Sequence, residues 1–246
     1  MEVHAHTHTE RKKWTHYFWE FLMLFLAVFC GFLAENFREH QVEHQREKQY
    51  IKSLIADLKS DQETLAKHIL HVKTGILRMD SVITILNTPL LIGENTGKLY
   101  FLARIAPRLN PLSTNNRTFE QLKNSGNFRL IRDINTSNRI MTYYEKFPLI
   151  RLLESVNETE FNEYKKVAAK IFDPAVFIKM EGNNAEINRT TENPSLRTTD
   201  KELLQELSVF SVYMHGTKKG ILGVDEELKI AGAELIEYLQ KEYNLK

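Results

Sequence analysis

Apolar side chains recur along this chain in two ways: one unbroken run near the start, then seams spaced by three and four residues. Residues 21–34 read FLMLFLAVFCGFLA, fourteen positions without a polar side chain, and residues 14–20 ahead of them are rich in aromatics. A bilayer core needs ~20 helical residues, so a span here takes in roughly residues 16–36 and sets Glu20 about one turn inside its first end. The nine Leu, Phe and Val side chains of the run contribute roughly −3 to −5 kcal/mol to insertion, against about +3 for an acidic residue at mid-bilayer and less near an end. Insertion wins, and the expected organisation is a tail (1–13), a transmembrane helix (14–36) and a helical extramembrane domain (37–246).

A cleaved signal peptide would also begin with charge and a short apolar run. Its processing site is poor here: Phe32 stands where a second small residue should precede Ala34, and Phe29 before Cys30 is too bulky for lipoprotein processing. The segment therefore reads as an uncleaved anchor, with Trp14, Tyr17 and Trp19 as an interfacial aromatic belt. Arg11, Lys12 and Lys13 precede it, while Arg38, Arg46 and Lys48 follow. Because the first three are contiguous and closest to the bilayer, the positive-inside rule leans to a cytoplasmic N-terminus and a periplasmic or extracellular domain.

After the run comes a seam of alternating four- and three-residue steps: Ile51, Ile55, Leu58, Gln62, Leu65, Ile69, Val72, Ile76, Met79, Ile83 and Leu86, broken only by Gln62. That period predicts a long amphipathic helix with a coiled-coil-like face, ended by Pro89. No breaker lies in 36–49, so it should continue the membrane helix. A second seam runs through Leu203, Leu207, Phe210, Met214, Thr217, Ile221, Val224, Leu228, Ala231 and Leu235. Gly220 and Gly223 lie within it and, at a cost of ~1 kcal/mol each, predict a soft point. The matching seam lengths predict that the last helix packs antiparallel on the first.

Between the seams, residues 98–109 predict a short helix ended near Pro107 and Pro111. Thr118 to Gln121 spells a capping box, and Gly126 a helix stop. A helix is expected over 134–171, bent or divided at Pro148. Residues 183–199 are polar, carry Pro194 and read as a mobile loop. With few alternating β-branched runs, the fold class expected is all-α: a transmembrane helix continuous with a long amphipathic helix, packed in an extended helical bundle.

The block TFEQLKNSGNFRLIRDINTSNRIMTYYEKF (118–147), together with WEFLMLFLAVFCGFLAENFRE leading into YIKSLIADLKSDQETL, resembles a family of uncharacterised bacterial single-span membrane proteins. The resemblance covers most of the chain. It implies an anchor, a long helix, a Leu-x-x-Ser-Gly stop from Leu122 to Gly126, a helix carrying Tyr143 and Tyr144, and a bacterial inner-membrane location, but no activity or cofactor.

Charge adds an exclusion. Lys plus Arg number 33 against 32 Asp plus Glu, so nothing draws the chain to nucleic acid. One cysteine rules out an intrachain disulfide. Candidate chemistry is sparse. His4, His6 and His8 alternate in a tract that could close on Zn, Cu or Ni, but they lack a fourth ligand, and an incidental polar tail is the simpler reading. His40, Glu43 and His44 spell H-x-x-E-H, an inverted zinc-protease motif; set among Arg38, Glu39, Arg46 and Glu47, they read better as a solvated charged face. Glu20 inside the span marks either a partner contact or a side chain snorkelling to the interface. Ala27 and Gly31 form a small-xxx-small pair that permits close helix approach. No nucleotide loop or catalytic triad order is visible, so the expectation is an interaction module: a membrane-anchored scaffold or sensor, pairing with itself or with another membrane protein. The alternatives are a metal-dependent membrane-bound hydrolase and an accessory subunit of a transporter.

Overall fold

Helix accounts for every regular element of the described residues, 14–245, in this computed structural model. The order is α1 (Trp14–Asn87), α2 (Pro89–Glu94), α3 (Thr96–Ile105), α4 (Arg117–Asn124), α5 (Ile134–Tyr144), α6 (Phe147–Ile171), α7 (Pro174–Lys179) and α8 (Lys201–Glu242). An isolated antiparallel bridge joins Glu181 and Ile187. The fold is all-α, as the spacing predicts. The chain divides into two units, one ending at Tyr50 and one beginning at Ile51.

In the first unit α1 is exposed along the whole apolar run, with Trp14 81%, Leu24 66% and Phe32 67% accessible. Phe21, Phe25 and Phe29 stack in succession along one side, with ring centroids 6.3 and 5.9 Å apart, as four-residue spacing on a helix dictates.

In the second unit the first seam turns inward. Ile51, Leu58, Leu65, Val72 and Met79 are buried, each such side chain worth about 1.5–3 kcal/mol when removed from water. A second buried row accompanies it at strict seven-residue steps: Leu54, Asp61, His68, Gly75 and Val82. α8 answers with Leu207, Met214, Ile221, Leu228 and Leu235 in one row and Leu204, Ser211, Lys218, Asp225, Gly232 and Leu239 in the other. The cross-contacts fix the direction. Asn87 reaches Ser208, His215 reaches Asp80, Gly75 meets Lys218, His68 meets Asp225 and Gln62 meets Gly232. As α1 ascends, α8 descends, so the two pack antiparallel. The expected α8 seam is half right: Leu203, Phe210, Thr217, Val224 and Ala231 are only half-buried, and the core row lies one position later.

α8 runs unbroken through Gly220 and Gly223. Gly220 faces Leu153 of α6, at ordinary contact distance. The predicted 134–171 helix divides into α5 and α6, with Pro148 in the first turn of α6, where its missing N–H costs nothing.

The capping box does not form. Thr118 lies inside α4, whose cap residue Asn116 makes no side-chain capping bond. Instead Thr118 N–H donates to Asp57 Oδ2 (3.0 Å), and Asn115 N–H to Asp61 Oδ1 (2.6 Å). Two carboxylates one turn apart on α1 thus receive the start of α4. An ionised acceptor outcompetes a hydroxyl there because the bond is charge-assisted and the helix dipole favours negative charge. Gly126 does stop the helix, at φ 68°.

The polar segment 183–199 is tied to its neighbours. Tyr100 Oη donates to Ser195 O and accepts from Asp173 N–H, both at 3.0 Å. The Arg197 backbone N–H reaches Ile171 O, and its guanidinium Ala169 O, both at 2.9 Å. At Gly97 a β-carbon would run into Glu192 O, so only glycine lets this segment lie on α3.

Candidate functional site

Glu20, Ala27 and Gly31 lie exposed on α1 at spacings of seven and eleven. At 3.6 residues per turn these spacings bring all three within about 20° of one helix face. A β-carbon at Gly31 would meet nothing within 4 Å beyond its own stretch of helix, so a second helix could approach there. α1 contains a stretch long and apolar enough to cross a membrane, and none of it is buried. Of the histidine candidates, only His40 and His44 fall on described residues. His4, His6 and His8 lie outside the described residues, and His40 and His44 are exposed, with His44 Nδ1 3.3 Å from Glu47 Oε2. Among the described residues no three His, Cys, Asp or Glu side chains meet in a metal-holding group.

What the structure does assemble is a ladder of polar rungs between α1 and α8. His68 is 6% accessible and Asp225 0%. His68 Nδ1 donates to Asp225 Oδ2 at 2.7 Å and Nε2 to Asn110 O at 2.8 Å. Both neighbours are acceptors, so only the doubly protonated ring satisfies both. Burial opposes that charge, but the hydrogen bond and attraction of Asp225, helped by Asn110 O and Glu154, outweigh it and raise the His68 pKa above 6.5. One rung further, Lys218 is buried against Gly75 and donates to Arg108 O at 3.0 Å. Burial lowers its pKa to about 8, against the opposing pull of Glu160.

At the Asp61 rung, Asp61 Oδ2, Gln62 Nε2, Tyr143 Oη and Tyr144 Oη have no hydrogen-bond partner among the described residues. Burial raises the Asp61 pKa, Asn115 pulls it back and Asp57 adds to it. The same burial, with Asp61 nearby, holds both tyrosine hydroxyls protonated well above their usual range. Gly232 faces this rung, where a β-carbon would displace the Gln62 amide and press on the Tyr143 ring. The Tyr143 and Tyr144 pair serves packing: Tyr144 stacks on Phe119 at 4.0 Å, and Tyr143 meets Phe147 edge-on at 5.5 Å.

Several clefts open on the same unit, two of them with partly or largely apolar walls. One, of about 540 Å³, lies among the end of α1, α2 and the starts of α3 and α8, and on its wall is the Thr96 hydroxyl, which has no hydrogen-bond partner among the described residues. The other, of about 480 Å³, lies between α3, α6 and α7; its floor is apolar and its rim basic. Sequence reasoning missed both, along with the ladder. The available signal for the ladder was the seven-residue spacing of Asp61, His68 and Gly75, repeated by Lys218, Asp225 and Gly232.

No family model, curated protein or solved structure matches this chain.

Proposed function

We propose that this protein is a single-pass, membrane-anchored helical module that acts by binding, as a scaffold or sensor, without chemistry of its own. The observation that carries this is the exposed apolar run. A membrane-length stretch of α1 is wholly unburied, and apolar surface on that scale belongs against lipid or another protein. The lipid bilayer is its first partner, and a bacterial inner membrane, with the N-terminus cytoplasmic and the domain periplasmic, suits the cationic residues ahead of the span. The shared face of Glu20, Ala27 and Gly31 is the contact face for a second copy or another membrane protein. Small residues allow close approach there, and a carboxylate near the interface favours a polar partner over lipid tails.

Copurification in mild detergent followed by mass spectrometry tests the partner. A second copy or a membrane protein should be recovered, and Glu20→Ala or Gly31→Leu should shrink the complex on a blue-native gel while leaving insertion intact. A monomer that neither substitution changes would refute the contact face. Ser195→Cys in a Cys30→Ser background tests the side: labelling of intact cells whose outer membrane has been permeabilised supports a periplasmic domain, and labelling only after lysis refutes it.

A further inference from the structure

We propose that the cleft between α3, α6 and α7 binds a small organic anion, a carboxylate carried on an apolar body of about naphthalene size. The site is built from both ends of the amphiphile. Its floor is the buried edges of Tyr164, Ala168 and Phe172, with the half-buried rings of Phe161 and Phe177 as walls. Phe172 and Phe177 lie 5.5 Å apart; such aromatic walls accept a flat apolar body by offset or edge contact.

The rim carries Arg104, Arg108, Lys165 and Arg197, and among the described residues no Asp or Glu lines the cleft. Arg104 is committed elsewhere: it donates to Phe177 O at 2.9 Å and pairs at 3.1 Å with Glu181, which is not among the cleft's lining residues. Arg197 is spent on Ala169 O. Arg108 and Lys165 are exposed, and Lys165 Nζ hangs 4.6 Å from the Phe161 ring centre, over the wall of the cleft. The surplus positive charge stands at the edge of an apolar floor, the arrangement that favours an anionic head with a desolvated body. A volume of about 480 Å³ falls within the roughly 300–1,000 Å³ typical of small-molecule sites and is closed to a helix or a whole lipid. Neither the anchor nor its contact face enters this argument, so the assignment stands or falls separately from the membrane reading.

The test is isothermal titration of the full chain in nanodiscs with 2-naphthoate, against empty nanodiscs and against the neutral isostere 2-naphthamide. Saturable binding above the empty-disc background is expected, at least tenfold weaker for the amide. The double variant R108E/K165E, altered only at exposed positions, should lose at least tenfold in affinity, with helical content unchanged by circular dichroism. Ala169→Phe, which fills the cleft from an exposed position, should do the same without touching charge. No binding above background, equal binding of the amide, or full affinity in either well-folded variant would each overturn the proposal. A chain that fails to enter nanodiscs can be titrated without lipid, so failure of the anchor is read separately.

Discussion

Replacing Asp225 by asparagine should abolish the fall in stability that the native protein shows as pH rises above the ordinary histidine value, and put in its place a rise confined to lower pH. In the native protein both His68 nitrogens face acceptors, so the folded state holds a proton that the unfolded chain releases near 6.5. Below that value both states are protonated and the pair contributes in full. Above it the folded state binds more protons, and stability falls by up to about 1.4 kcal/mol per pH unit until the raised folded pKa is passed. The substituted asparagine would offer an amide donor to Nδ1 of a neutral ring while Nε2 keeps its bond to Asn110 O. Burial then disfavours the imidazolium and puts the folded pKa below 6.5, so stability rises with pH only up to about 6.5 and is level above it. Asp225→Ala offers nothing, strands a buried ring and should cost about 3–5 kcal/mol. His71, whose pKa is lowered by burial and by Lys218, His68 and Arg78, acts below 6.5, so the slope above 6.5 is the one that reports His68. The assay is guanidinium unfolding of the full chain in mild detergent, followed by far-UV circular dichroism from about pH 5 to 8. Parallel slopes for wild type and Asp225→Asn would refute the doubly protonated ring.

Other consequences follow from neighbouring groups. Because the Lys218 pKa falls to about 8 from an ordinary 10.5, the unfolded chain holds more protons between those values and stability should rise with pH across them; Lys218→Met should abolish that rise in the same unfolding assay. Asp57→Ala removes the charged acceptor of the Thr118 N–H and the Asn115 amide and should cost about 1.5–3 kcal/mol for each bond, with faster hydrogen exchange at α4. Gly97→Val drives a side chain into Glu192 O, should cost about 1–3 kcal/mol, and should open residues 183–199 to limited proteolysis.

Apolar periodicity made the helices legible. Ile51 to Leu86 and Leu207 to Leu235 announce α1 and α8 because oil-like side chains at that spacing can be hidden only on one helical face. The capping box failed for the opposite reason: Thr118 to Gln121 is a local pattern, and the groups that satisfy α4, Asp57 and Asp61, arrive from some sixty residues away. The ladder was concealed by chemistry. His68, Lys218 and Asp225 are residue types that water usually claims, and they enter the core only because each finds a hydrogen-bonding partner there. The basic cleft was equally hidden, since Arg104, Lys165 and Arg197 come from three segments that only tertiary packing brings together.

Whether residues 14–36 sit in a bilayer is decided by alkaline carbonate extraction of membranes from cells expressing the full chain. The intact protein should stay in the pellet and leave it only with detergent. Recovery of the full-length chain, with its N-terminus uncut, in the detergent-free supernatant would contradict that placement.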